Sequence, residues 1–259
     1  MGVPDWGQPA AVQAWAQGIA AAVKKDGFDG VFIDGYRDEF KSGEFNSKSP
    51  VVRNLGNATK ATEWIRGIWN ATGPALRAAL PPGSTMIPNC ESKELCEDGS
   101  GHSEIPGYSS VMMEYFGVSS DYIDNVARVA AANTLAEVNA YVKMYAGNLY
   151  ILPNLVAFLA GAGNLTAFGA IGPYWNCYET PSSVPEFKKH LGAPAGPATV
   201  ELVGNVSHGR QTWRRTFGNG TRIMLNVTYP YDTVYHSTSC CIWWSSGEVS
   251  VCPNSQHIC

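Results

Sequence analysis

The segment Gly30-Val31-Phe32-Ile33-Asp34-Gly35 constrains the fold more than any other stretch of the chain, because an unbroken apolar run stops abruptly at a carboxylate. A second segment of the same design follows at Val111-Met112-Met113-Glu114-Tyr115-Phe116. Apolar runs of this length that do not alternate with polar residues predict strands buried on both faces, the habit of parallel sheets covered by helices. In α/β barrels the residues at the C-terminal ends of the strands form the active site. Two acidic side chains delivered to one rim meet the requirement of glycoside hydrolysis for one acid/base and one nucleophile or base.

Flanking patterns fit that reading. Val12, Trp15, Ile19 and Val23 recur at helical spacing from Pro9 to Lys25, with Gly27 as a stop. A helix is expected from about Ala58 to Leu80, with Trp64, Ile65, Ile68 and Leu76 inward and Pro81-Pro82-Gly83 at its end. Thr85 to Pro88 reads as a strand leading to Asn89. A long amphipathic helix is expected from Asp121 to Tyr145, then a strand at Leu149 to Leu152, a short helix at Leu155 to Leu159 and a strand at Ala167 to Ile171. The alternation of helix and strand predicts an α/β domain over residues 1–197.

Beyond Lys189 the texture changes. Val200 to Val203, Gln211 to Phe217, Arg222 to Val227 and Cys241 to Trp244 read as antiparallel strands, and Gly218-Asn219-Gly220 is a hairpin turn signal. Residues 198–259 are expected to form a small β-appendage with clustered cysteines. Among the seven cysteines, Cys240, Cys241, Cys252 and Cys259 crowd the end of the chain and predict a disulfide-stapled tail. Cys90 and Cys96 lie close enough in sequence to pin the loop between them. Zinc is the competing use of these thiols, but no CxxC or HExxH spacing supports it, so neither a metal nor another cofactor is expected.

Six Asn-x-Ser/Thr sequons begin at Asn57, Asn70, Asn164, Asn205, Asn219 and Asn226, against about two expected by chance at this composition. Together with the cysteines they predict a secreted, N-glycosylated protein. The recorded start, Met1-Gly2-Val3-Pro4-Asp5-Trp6, has neither the basic end nor the apolar core of a signal peptide, so a preceding segment is expected. A net charge of −4 with 15% charged residues, and no basic run, argue against nucleic acid as a partner. No apolar stretch reaches the roughly 18 residues of a membrane span.

Five pieces of sequence resemble a family of hypothetical glycoside-hydrolase-like proteins, glycosyl hydrolase-like family fifteen. They are DGVFIDG at Asp29 to Gly35, MMEYFG at Met112 to Gly117, LVAFLAGAGNLTAFG at Leu155 to Gly169, FKKHLGAPAGPA at Phe187 to Ala198 and WRRTFGNGTRIMLNV at Trp213 to Val227. The resemblance spans most of the chain in order. It implies a TIM-type (β/α) barrel with a carboxylate rim and a small C-terminal antiparallel β region. The family pattern would set GVFIDG near the fourth barrel strand, so the barrel is expected to be incomplete at the N-terminus, with about five strands. An upstream segment or self-association would then complete it.

By analogy with glycosidases of the α-galactosidase type, Asp34 is expected as nucleophile or transition-state stabiliser. Glu114, among Met113, Tyr115 and Phe116, is expected as the general acid, since an apolar setting raises a carboxyl pKa. Asn89 is a candidate for bonding a sugar hydroxyl. Tyr36, Tyr115, Tyr174 and Trp175 are candidates for stacking on the C–H faces of sugars. The expected partner is a carbohydrate, a polysaccharide or glycan. The alternative is a non-catalytic, self-assembling extracellular glycoprotein.

Overall fold

In the computed structural model, residues 6–33, 56, 58–90, 110–113, 118, 120–131, 135–141, 151–171, 185–204, 209–228 and 238–252 are described. The chain divides into two compact units, Met1–Met112 and Met113–Cys259.

In the first unit, helix α1 (Pro9–Asp26) begins with a proline in its first turn, where the missing N–H costs nothing, and ends at Gly27. Gly27 adopts φ +72°, and its N–H donates to the Val23 carbonyl. The inward stripe of Val12, Ala16 and Val23 packs with Ala75, Leu76 and Leu80 of the helix α2 region (Ala58–Ala79) and with Met86. Trp15 and Ile19 are partly buried against this core, as their spacing predicts. Trp64 is not inward: it is 40% exposed.

Strand β1 (Gly30–Ile33) pairs in parallel with β2 (Thr85–Cys90), Gly30 opposite Thr85 and Ile33 opposite Pro88. A side chain at Gly30 would run into the Thr85 carbonyl, so glycine permits this approach. Strand β3 (Ser110–Met113) lies beside β2. The expectation that β1 is buried on both faces is corrected, since Phe32 is 50% exposed.

The second unit departs further from the expected order. Helix α3 (Ser120–Ala131) stops fourteen residues short of the expected end at Tyr145, and Leu135–Tyr141 forms strand β4 instead. β4 pairs in parallel with β5 (Thr166–Ile171), Ala136 opposite Thr166 through Tyr141 opposite Ile171. The apolar residues of the segment fit a helical period, but a ladder partner some thirty residues away outweighs a local propensity. The strand expected at Leu149 to Leu152 is also corrected: helix α4 (Ile151–Gly161) starts there, with Pro153 tolerated in its first turn.

Pro153 through Gly161 are all buried, so α4 is a core helix, apolar on every side except for the buried amide Asn154. It contacts α3, β4 and β5, and also β7, β8 and β9 of a five-stranded antiparallel sheet. That sheet comprises β6 (Thr199–Val203), β7 (Arg210–Thr216), β8 (Arg222–Thr228), β9 (Thr238–Trp243) and β10 (Val249–Val251), in the order β10-β9-β8-β7-β6. Ile223, Leu225, Val227 and Ile242 are among its buried residues. Gly161 and Gly163 let α4 approach α3: a Cβ on Gly161 would sit 2.5 Å from the Ile123 carbonyl oxygen, and one on Gly163 would sit 2.6 Å from the Ala130 Cβ.

The hairpin at Gly218-Asn219-Gly220 forms as its sequence predicts. Gly220 has φ +91°, and the Phe217 N–H donates to the Thr221 carbonyl. Strand β10, three residues long, carries no sequence signal strong enough to find. Cys240 bridges to Cys252, and Cys241 is disulfide-bonded as well. The loop between Cys90 and Cys96 lies outside the described residues.

The TIM-type barrel, complete or partial, is overturned. Among the described residues no sheet closes on itself, and half of the ten strands belong to the open antiparallel sheet. Closure of a parallel barrel takes eight strands returning to the first. Among the described residues β1 instead stands at the edge of its sheet.

Candidate functional site

The proposed acid pair sits, in sequence, directly after two strands of the first sheet. β1 ends at Ile33, the residue before Asp34, and β3 ends at Met113, the residue before Glu114. β2 runs between β1 and β3, and Asn89 is in β2, one residue beyond the Ile33–Pro88 pair. Asp34, Glu114, Tyr36, Tyr115, Tyr174 and Trp175 themselves lie outside the described residues.

The described sequons fall into two groups. Asn70 on α2 and Asn164 in the turn after α4 are exposed. Asn219 and Asn226 are engaged in hydrogen bonds. The Asn219 Nδ2 donates to the His190 carbonyl at 2.9 Å and to the Ser245 hydroxyl at 3.2 Å. The Asn226 Nδ2 donates to the Ser239 hydroxyl at 3.1 Å, while its Oδ1 accepts from the Thr212 hydroxyl at 2.8 Å. Asn57 and Asn205 lie outside the described residues.

The C-terminal sheet carries a feature that the sequence reading missed, an open groove of about 580 Å³ along β6 to β9. Arg214, Arg215 and Arg222 line it together with Thr199, Thr216 and Trp243, and no carboxylate is in its lining. Strand register explains the clustering. Thr199 of β6 lies opposite Arg214 of β7, and Thr216 of β7 lies opposite Arg222 of β8, which lies opposite Trp243 of β9. Alternation therefore puts Arg214 and Arg222 on one face as diagonal neighbours, roughly 7–8 Å apart at the backbone.

The three arginines have different commitments. Arg215 points to the other face, where its Nη1 donates to the carbonyls of Leu159, Ala160 and Ala162 at 3.0, 3.1 and 2.6 Å, and its Nε donates to the Gly196 carbonyl at 2.8 Å. Burial pulls its guanidinium pKa below the ordinary value. Arg214 pairs with Glu201 at 3.4 Å, both side chains being more than half exposed. Arg222 is exposed and lies over the Trp243 ring, 5.6 Å from its centroid. The signal for this cluster was the string Trp213-Arg214-Arg215 followed by Arg222 across a hairpin turn; an alternating readout of the two strands would have found it.

Among the described residues no group of three or more His, Cys, Asp or Glu side chains could hold a metal ion. No described helix is long and apolar enough to cross a membrane.

No curated protein matches the chain. The family model of hypothetical glycosyl hydrolase family 15 matches residues 6–221, which runs from the start of the described residues through the hairpin after β7. With more than four-fifths of its length so matched, the chain belongs to hypothetical glycosyl hydrolase family 15 and is a glycosyl hydrolase-like protein.

Proposed function

We propose that the chain is a secreted, N-glycosylated glycoside hydrolase that cleaves a polysaccharide or glycan with two carboxylates. Asp34 serves as nucleophile or stabiliser of the oxocarbenium-like transition state, and Glu114 donates the proton to the leaving oxygen. The observation that carries this reading is the order β1-β2-β3, with β1 ending immediately before Asp34 and β3 immediately before Glu114. Neighbouring strands are about 4.8 Å apart, so β1 and β3 are separated by about 9.6 Å, a span that two acidic side chains can close around one glycosidic bond. Asn89 on the intervening strand is suited to hold a hydroxyl of the same sugar. Tyr36, Tyr115, Tyr174 and Trp175 supply stacking surfaces.

The test is hydrolysis of a broad panel of neutral and acidic glycans by the secreted chain. Asp34→Asn and Glu114→Gln are each expected to lower kcat by at least about a hundredfold, the usual scale for a general acid or base. Turnover unchanged in both variants would overturn the assignment.

A second reading is favoured by one observation. Among the described residues β1 is an edge strand and carries Phe32 half exposed, a surface suited to pairing with another copy. A non-catalytic, self-assembling glycoprotein would show concentration-dependent association that Phe32→Lys abolishes. A monomer at all concentrations excludes it.

A further inference from the structure

We propose that the groove on the C-terminal sheet binds an anionic sugar chain, one carrying carboxylate or sulfate groups, separately from the acids that carry out hydrolysis. The groove has three arginines in its walls and no carboxylate, in a protein whose net charge is −4. That local inversion of charge selects an anion.

The two arginines on the open face are available to a ligand. Arg222 is held by its stack on Trp243, and among the described residues its N–H donors make no hydrogen bond, so its planar fork is pre-oriented and unspent. Among the described residues Arg214 is paired with Glu201, a long and exposed contact of the kind that contributes little, and a carboxylate or sulfate displaces it at small cost. Arg215 cannot serve in the same way, because its donors are committed to backbone carbonyls. Its charge adds to the positive field of the groove without contacting the ligand.

A sugar chain fits better than a compact anion for two reasons. The groove is open along the sheet and spans four strands, so it accommodates a polymer with repeated charges, one near Arg214 and one near Arg222. Its remaining walls combine the Trp243 ring with the Thr199 and Thr216 hydroxyls, the mixture of apolar face and hydrogen-bonding groups that a sugar ring itself presents.

Binding is measured with the full chain carrying Asp34→Asn, so that hydrolysis does not remove the ligand and failure of the hydrolase reading leaves the result intact. The probes are polygalacturonate, dextran sulfate and neutral dextran, followed by affinity electrophoresis and calorimetry. Retention is expected on one or both charged polymers, which identifies the carboxylate or the sulfate as the recognised group, and not on dextran. Arg222→Gln is expected to weaken it by roughly tenfold or more, as for loss of a charge-assisted bond. Arg222→Lys, which keeps the charge and loses the fork, should fall between. Because Arg222 is exposed, an unchanged melting temperature certifies that each variant is folded. Equal retention on dextran, no retention on either charged polymer, or full retention by Arg222→Gln would each overturn the proposal.

Discussion

The guanidinium of Arg215 on β7 donates to the carbonyl of Ala162 at 2.6 Å, just beyond the last residue of α4. It reaches the Leu159 and Ala160 carbonyls as well, so one cation satisfies three acceptors at a helix end where the backbone has no partners of its own. A positive charge also suits the negative end of the helix dipole. Arg215→Met is expected to destabilise the second unit by about 3 kcal/mol, as for loss of hydrogen bonds to a charged donor. Its melting temperature should fall by roughly 6–12 °C. Arg215→Lys, a point charge without the fork, should recover only part of the loss.

The approach of α4 to α3 depends on having no side chain at Gly161. A Cβ there would meet the Ile123 carbonyl oxygen at 2.5 Å, and the backbone has no rotamer with which to move aside. Gly161→Ala should cost about 1–3 kcal/mol through forced separation of the helices, although alanine is the better helix former. Chemical denaturation compares it with Gly18→Ala on α1, where the added methyl meets nothing and stability should rise.

Cys240 and Cys252 close a short loop, at a sequence separation of 12, across β9 and the end of β10. Restricting the unfolded chain in this way is worth about 3 kcal/mol. Cys252→Ser should lower the melting temperature by roughly 6–12 °C under non-reducing conditions. Excess dithiothreitol should then narrow the gap between the variant and the parent protein.

Glu248 is held below its ordinary carboxyl pKa of 4.5 by the hydrogen bond from Lys189, with help from Ser246 and from the Lys189 charge. A depressed carboxylate contributes its stability above the unfolded pKa and loses it as the pH falls through the folded one. The contribution is small, since the pair is exposed. Glu248→Gln should therefore melt slightly below the parent protein near neutrality. The difference should shrink as the pH falls below 4.5 and through the lowered folded-state value, read from melting curves across the acid range.

Glycan occupancy should sort by hydrogen bonding rather than by motif. Asn70 and Asn164 are exposed, whereas a glycan on Nδ2 of Asn226 or Asn219 would remove donors used by Ser239, Ser245 and His190. Peptide mapping of the chain secreted from eukaryotic cells should find the first two sites occupied and the latter two empty.

Local chemistry was enough to place α1 and its stop at Gly27, because a proline start, an apolar stripe and a left-handed glycine all act within a few residues. The same holds for the β7–β8 hairpin, whose turn residues and alternation set the register without distant help. The strands preceding Asp34 and Glu114 were legible as unbroken apolar runs, though the half-exposed Phe32 shows that such a run does not guarantee cover on both faces. Where the reading failed, the deciding partner was remote. Leu135–Tyr141 is apolar at a spacing that suits a helix, and it became a strand because β5 offered a ladder. Whether the parallel strands closed into a cylinder was likewise not written in any one of them, since closure depends on the first strand meeting the last. The arginine groove and the role of Arg215 arose in the same way: residues adjacent in sequence point to opposite faces of a strand, and only the packing of α4 beneath one face and the groove on the other separated a structural cation from two available ones.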